Sequence, residues 1–378
     1  MANVFTSLAA DIFVARDKVG RELVGAIPAC TINADGSTRA AKGDTIRTAV
    51  TRAQTVNTSY APSMTIPEGT DQTVDNKTMT LSSYASIQIP YTGEDVKHLD
   101  NGSGFQSVYG DQIYQAMRAI TNKMELDLCL AINNGAGNSY GTSATTPFAS
   151  TLADLPNIRK KLVDRGCPDD GQLSAVYNTT AGVNLRNLSS LYKVNESGSN
   201  ELLRQGVLLD LYGLKIRESA QINSHTAGSG SSYVLNGAHA AGATSIVAKT
   251  GSGTLLPGDV VVINSQKYVV LVGLAAAGTF TINSGLLAAG SDGDTITPEA
   301  TYTGNIVFHK AGVEMAMRPI ALPHGGDAAV DRMTVQDPWS GLIFELAMYK
   351  GYQKAMIEVG ALYGSKVWKP DFVCVHQG

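Results

Sequence analysis

Charge is scarce in this sequence. Only 16% of its 378 residues are charged, and the net charge is −4. There is no block of like charge; even Arg159-Lys160-Lys161 is flanked by acids. A dedicated nucleic-acid binder would carry a basic stripe, so only weak, nonspecific contact with DNA is expected. Cysteine is also scarce: Cys30, Cys129, Cys167 and Cys374 stand far apart with no C-x-x-C pair. That spacing excludes a dense disulfide framework and fits free thiols in a reducing cytoplasm. Aromatics are only 7%, with two tryptophans, Trp339 and Trp368. This is little for the exposed aromatic platforms of a carbohydrate-binding protein. No apolar run reaches the roughly 18 residues of a membrane span. The first residues lack a basic stretch followed by an apolar core, so a secretory signal is not expected.

Chemical motifs are equally sparse. There is no phosphate-binding P-loop and no complete dinucleotide fingerprint. The six histidines, His98, His225, His239, His309, His324 and His376, never fall three or four residues apart. None joins a cysteine cluster, as a zinc site would require. Gly137-Asn138-Ser139-Tyr140-Gly141 fits G-x-S-x-G. A nucleophile elbow needs a strand before it and a helix after it, whereas here a long helix precedes and a polar loop is expected. Asp292, Asp294 and Glu299 lack the spacing of a calcium loop. The expectation is therefore a protein that is not an enzyme, with no catalytic, cofactor-binding or metal residues.

What is abundant is glycine, at 39 residues, and hydrophobic side chains, at 43%. Phe5, Leu8, Ile12, Phe13 and Val19 mark an amphipathic opening helix. Thr45–Gln54 and Lys77–Pro90 alternate like strands, with a phase slip at Ser82-Ser83. The polar stretch between them is too long for a structureless loop inside a compact domain. It reads as an arm that orders against something else. Tyr109, Ile113, Met117, Ile120, Met124 and Leu128 predict one long helix over Ser103–Asn133, closed by Asn133-Asn134-Gly135. Further helices are expected over Leu152–Arg165 and Thr180–Leu191. Residues 224–303 change composition and predict five short strands: Ser245–Ala248, Asp259–Ile263, Lys267–Val272, Thr279–Ile282 and Thr295–Ile296. Such spacing suggests a small barrel or sandwich. Strands are then expected over Asn305–His309, Val313–Ile320, Met333–Gln336, Ile343–Tyr352, Ala355–Leu362 and Val367–Val375. The fold class is α+β.

This order of elements resembles the major capsid proteins of tailed bacteriophages, which have the Hong Kong 97-type fold. The nearer likeness is to the coat family of the Salmonella phage P-twenty-two, which carries an inserted barrel. Leu211-Tyr212-Gly213-Leu214-Lys215-Ile216 resembles the strand entry before the insertion. Leu256-Pro257-Gly258-Asp259-Val260-Val261-Val262-Ile263 resembles a barrel strand, and Ala311-Gly312-Val313-Glu314-Met315-Ala316 the re-entry. The resemblance implies an N-terminal arm at 1–35 and an extended loop with flanking strands at 36–100. It implies a peripheral-domain spine helix at 101–134 and an axial domain at 135–223 that returns at 304–332. The inserted β-barrel takes 224–303, and peripheral-domain C-terminal strands take 333–378. It also implies self-assembly through hexamers and pentamers into an icosahedral virion shell, built in the host cytoplasm. Scaffolding, portal and decoration proteins are candidate partners; a membrane is not. A bacterial nanocompartment shell of the same fold is the alternative. A secreted esterase or carbohydrate-binding β-protein is the alternative from another class.

Overall fold

The computed structural model describes residues 24–51, 56, 58, 61–66, 74–100, 105–188, 191, 210–337 and 340–378. The expected opening helix lies outside the described residues. The strands are β1 (Thr31–Ala34), β2 (Thr45–Thr51), β3 (Val74–Thr80), β4 (Ser83–Thr92) and β5 (Asn138–Gly141). There follow β6 (Leu173–Tyr177), β7 (Lys215–Glu218), β8 (Ser224–His225), β9 (Ser231–Leu235) and β10 (Ser245–Ser252). Next come β11 (Val260–Ile263), β12 (Gln266–Val272), β13 (Thr279–Ile282), β14 (Thr295–Pro298) and β15 (Tyr302–His309). The last are β16 (Val313–Arg318), β17 (Ala329–Gln336), β18 (Ile343–Lys350), β19 (Lys354–Val367) and β20 (Val373–Gln377). Helices span Gly93–Asp100, Phe105–Gly135, Asp154–Asp164 and Thr179–Asn187.

The long helix Phe105–Gly135 follows the expected stripe. Ile113, Met117, Ile120, Met124, Leu128 and Ile132 are all buried along one face. They pack on a sheet ordered β1-β16-β19-β18-β17, with β4 also pairing β19. That sheet offers the helix Met315, Met317, Phe344, Leu346, Ile357, Val359 and Tyr363. Truncating one of these core side chains to alanine costs about 2–5 kcal/mol. The phase slip at Ser82-Ser83 is where the chain leaves β3, which pairs with β2, and begins β4, which runs beside β19 from Tyr363 to Lys354.

A second sheet runs β5-β20-β15-β6-β7, with β8 also on β15. It is covered on both faces. Leu173, Ala175, Tyr177, Val307 and Cys374 face the helices Asp154–Asp164 and Thr179–Asn187 through Leu155, Ile158, Leu162 and Leu185. Val176, Ile306, Phe308, Val373 and Val375 face the main core. Burial on both sides explains why Asn305-Ile306-Val307-Phe308-His309 reads as a continuous apolar run rather than an alternation.

Residues 231–298 close into a barrel of order β10-β13-β12-β11-β14-β9. Alternate residues Tyr233, Leu235, Ile246, Val261, Ile263, Tyr268, Val270, Phe280, Ile282 and Ile296 fill it. Closure leaves no unpaired edge. The strand β9, not expected from the sequence, completes the ring. Its Ser231-Ser232 start is polar, so only Tyr233 and Leu235 carry the inward pattern.

The two sheets share strands that lie close together in sequence. β16 already lies in the first sheet, and β20 lies in the second beside β15. The reason is local: the Lys310–Gly312 turn carries the chain from β15 directly into β16, and the Pro370–Phe372 turn carries it back.

Candidate functional site

The hairpin β2–β3 stands apart from both sheets. It is paired in register from Thr45 with Thr80 to Thr51 with Val74. Its root is anchored. Met79 and Leu81 are buried with Ala316, Leu362 and Trp368. Lys77 Nζ donates to Trp368 O at 2.8 Å, and Lys366 Nζ to Thr78 O at 2.5 Å. Its far end is not buried: Val56, Met64 and Ile66 are 80%, 105% and 88% exposed. A lone two-stranded ribbon is marginal in water, and apolar side chains so exposed gain nothing from their own subunit.

A buried clamp holds residues 25–27. Glu125, on the long helix, is fully buried. Its Oε1 accepts from Gly25 N and Ala26 N at 2.7 Å each, and its Oε2 from Ile27 N at 2.9 Å. These donors are the free N–H groups at the start of the Ile27–Ala29 turn, which has no side-chain cap of its own. Cys30 and Cys129 lie against the same carboxylate. Burial, reinforced by Glu125, pushes the Cys30 thiol up to about 12, so it stays protonated. All four cysteines are buried and free.

The face of the first sheet away from the long helix is polar. Register brings Glu345 opposite Gly360 and Ala347 opposite Glu358, with Gln88 beyond. Glu345 accepts from Arg39 Nη1 at 2.8 Å and Arg332 Nη1 at 2.9 Å. Arg332 also pairs with Asp327, which accepts from Tyr349 Oη at 2.9 Å. Glu345 is only 7% exposed, so losing one arginine would leave a poorly solvated charge. This network ties the segment after Pro319 to the sheet.

The barrel is mounted by two outward-facing valines and a ring of polar contacts. Val260 and Val269 turn away from the barrel interior and join the main core. Asn283 Nδ2 donates to Asn134 O and Ala136 O at the end of the long helix, at 2.7 and 2.9 Å. Tyr302 Oη donates to Gly258 O at 2.7 Å. Gly258 takes φ +94° in the Pro257-Gly258-Asp259 turn, and a Cβ there would strike Asn134. Arg165 reaches Gly285 O at 3.1 Å and Asp371 at 3.2 Å.

The chemical candidates of the sequence are dispersed in the fold. Residues Gly137–Gly141 do not form a polar loop; most of the motif is the edge strand β5, pairing in parallel with β20. The tight Asn134–Gly137 region lets the chain return along β20, and Ser139 is buried in that sheet. Its context remains helix then strand. His225 bonds Asp259 at 2.8 Å, His309 bonds Asp170 at 2.9 Å, and His376 Nδ1 lies 3.2 Å from Tyr177 Oη. His239 accepts from Val247 N at 3.0 Å. Asp292 pairs with Lys249, Asp294 accepts from Ser291 N, and Glu299 pairs with Lys267. These three carboxylates therefore do not converge. Among the described residues, no group of three His, Cys, Asp or Glu could hold a metal, and no helix is long and apolar enough to cross a membrane.

No protein-family model matches the sequence, and no curated protein does. Solved structures do. A chain of the capsid of Cyanophage P-SCSP1u aligns with TM-score 0.50 and 13% identity, covering 92% of this chain and 86% of that one. A chain of the bacteriophage PhiM1 mature capsid aligns with TM-score 0.50 and 11% identity, covering 93% and 85%. At such low identity the likeness speaks for architecture alone. Over nearly its whole length, this α+β chain with its closed barrel shares its fold with chains of bacteriophage capsids.

Proposed function

We propose that this chain is the major capsid protein of a tailed bacteriophage, a subunit that assembles with copies of itself into the icosahedral shell around the genome. The observation that carries this reading is the hairpin: its root is fixed, and its far end holds Val56, Met64 and Ile66 out in solvent. The fold shared with phage capsid chains supports it. In this reading the molecule has the Hong Kong 97-type plan. Residues 1–35 are the arm, 36–100 the extended loop and 101–134 the spine helix. Residues 135–223 and 304–332 form the axial domain, with 224–303 the inserted barrel, and 333–378 complete the peripheral domain. The barrel insertion is the point of likeness to the P-twenty-two coat family. The chain acts by burying surface, not by catalysis. Its home is the virion, reached by assembly in the host cytoplasm. Scaffolding, portal and decoration proteins are the partners to seek, and contact with packaged DNA is weak and nonspecific. Obligate interfaces of this kind bury on the order of 2,000 Å2 or more. Electron microscopy of the purified protein, alone and co-expressed with its phage neighbours, tests the proposal. Closed shells are expected, and a stable monomer under every condition refutes it.

A further inference from the structure

The polar face of the first sheet holds a cavity of about 220 Å3. Ile320, Ala321, Leu322 and Pro323 give it an apolar wall. Two small residues keep the strand surface low beneath it. One is Ala347 on β18. The other is Gly360 on β19, where a Cβ would come within 2.5 Å of the Tyr84 hydroxyl. The space is smaller than the roughly 300–1,000 Å3 of pockets for drug-sized ligands, so it suits a short chain. Three carboxylates, Asp327, Glu345 and Glu358, and one guanidinium, Arg332, also line it. Arg332 is taken by Asp327 and Glu345, and Glu345 has a second cation in Arg39. Glu358, half-buried, has no cation among the described residues. Its Oε1 accepts only long bonds, from Tyr84 Oη and Gln88 Nε2 at 3.3 Å each, and its Oε2 accepts none from them. The Tyr84 hydroxyl registers the field: burial first, then Glu358, pushes its pKa up to about 12. The cavity is one positive charge short. A metal ion does not supply it, because among the described residues no three acids are placed to hold one.

We propose that this cavity binds a primary alkylammonium ion, with the charge on Glu358 and the chain along the wall Ile320–Pro323. An ammonium has three N–H donors and no acceptor. One donor meets the free Oε2 of Glu358, a charge-assisted bond of the stronger kind. A second meets the Tyr84 oxygen, whose own proton points to Glu358. The third faces water at the mouth. The methylenes cover apolar surface while the charge keeps its partner, as long basic side chains do. Two sources carry this group: a free diamine, or a lysine side chain of a second copy of this chain. The lining comes from one subunit, so binding by the single chain does not depend on the capsid reading.

Saturation-transfer NMR on the unassembled full-length chain, titrated with butylammonium chloride, tests this. Saturable binding with a Kd on the order of 1 mM is expected for so small a ligand. Butanol lacks the charge and tetramethylammonium lacks the donors, so each should bind about tenfold more weakly or worse. Glu358→Gln should weaken butylammonium binding by at least about tenfold, and Ala347→Leu should abolish it by filling the cavity. Each variant is scored only if it melts cooperatively, and Glu358→Gln, which keeps the side chain's shape, serves if the leucine variant does not fold. The same titration on closed shells separates the sources. Binding kept in shells assigns the site to a free amine, and binding lost on closure assigns it to a lysine of a second copy. No saturable signal from cooperatively melting wild-type protein, at concentrations far above that Kd, overturns the proposal. So does butanol binding as tightly as butylammonium, or a wild-type Kd in Glu358→Gln.

Discussion

Glu125→Ala should be among the most damaging single substitutions in the subunit. The carboxylate is fully buried and is the acceptor for the N–H groups of Gly25, Ala26 and Ile27. Alanine leaves those donors facing an apolar core. Each orphaned buried donor costs about 1–3 kcal/mol, so the loss is about 3–9 kcal/mol if the chain stays in place. Domains of this kind have only about 5–15 kcal/mol in total. The chain can escape part of the cost by lifting residues 25–27 away from the helix, which brings the loss towards the lower figure. Glu125→Gln keeps an oxygen at the Oε1 position for Gly25 and Ala26 but sets an NH2 group against Ile27 N. It should cost about 2 kcal/mol, near that of one orphaned donor. Urea denaturation of unassembled subunits measures the stability, and hydrogen exchange at Gly25–Ile27 reports the clamp directly. The order wild type, glutamine, alanine is expected in both. An alanine variant within about 0.5 kcal/mol of wild type, the range of ordinary surface changes, would refute the reasoning.

Acid should weaken the second sheet through His376. Burial holds its folded-state pKa down at about 3, below the usual 6.5. The unfolded chain therefore takes up a proton that the folded chain refuses, and stability falls as pH drops from about 6.5 towards 3. The slope is at most about 1.4 kcal/mol per pH unit. Asp154, 3.7 Å away, is shifted upward by burial and acts in the opposite sense at lower pH. Melting curves of His376→Gln should show a shallower acid slope than wild type; an identical slope counts against this assignment. Replacing residues 52–73 by a tight turn should leave a folded subunit that closes no shells in the electron microscope, and normal shells would contradict the role given to the hairpin. The barrel, residues 231–298, has its own closed core and should fold alone, with a β-type circular dichroism spectrum and one cooperative melt. A disordered spectrum counts against its autonomy.

Much of the architecture was legible because single elements carry one clear period. The long helix showed its face at Ile113, Met117, Ile120, Met124 and Leu128, and the hairpin showed its first strand; Lys77–Pro90, read as one strand, is two, β3 and β4, divided at the Ser82-Ser83 slip. Five barrel strands were legible from their turns, but β9 was not, because its first two residues are serines. The division of strands between sheets was hidden for a physical reason. β15 and β16 are both apolar and separated by three residues, so no local pattern tells which sheet each joins. The clamp at Glu125 was equally invisible: one acid within an amphipathic helix looks solvated until its partners arrive from residues 25–27.

The interleaving of the two sheets also sets a timetable for synthesis. Thr31 waits for Glu314, Tyr84 for Leu362 and Asn138 for Cys374. At about 5–20 residues per second on the ribosome, the early strands spend on the order of ten seconds to a minute without their partners. The barrel, whose strands pair with near neighbours in sequence, can close long before then. Distant pairing slows folding in general. During that interval the apolar faces of β1, β4 and the long helix are open to other nascent chains, so chaperone demand should track the emergence of residues 31–135 and end only when β20 leaves the ribosome.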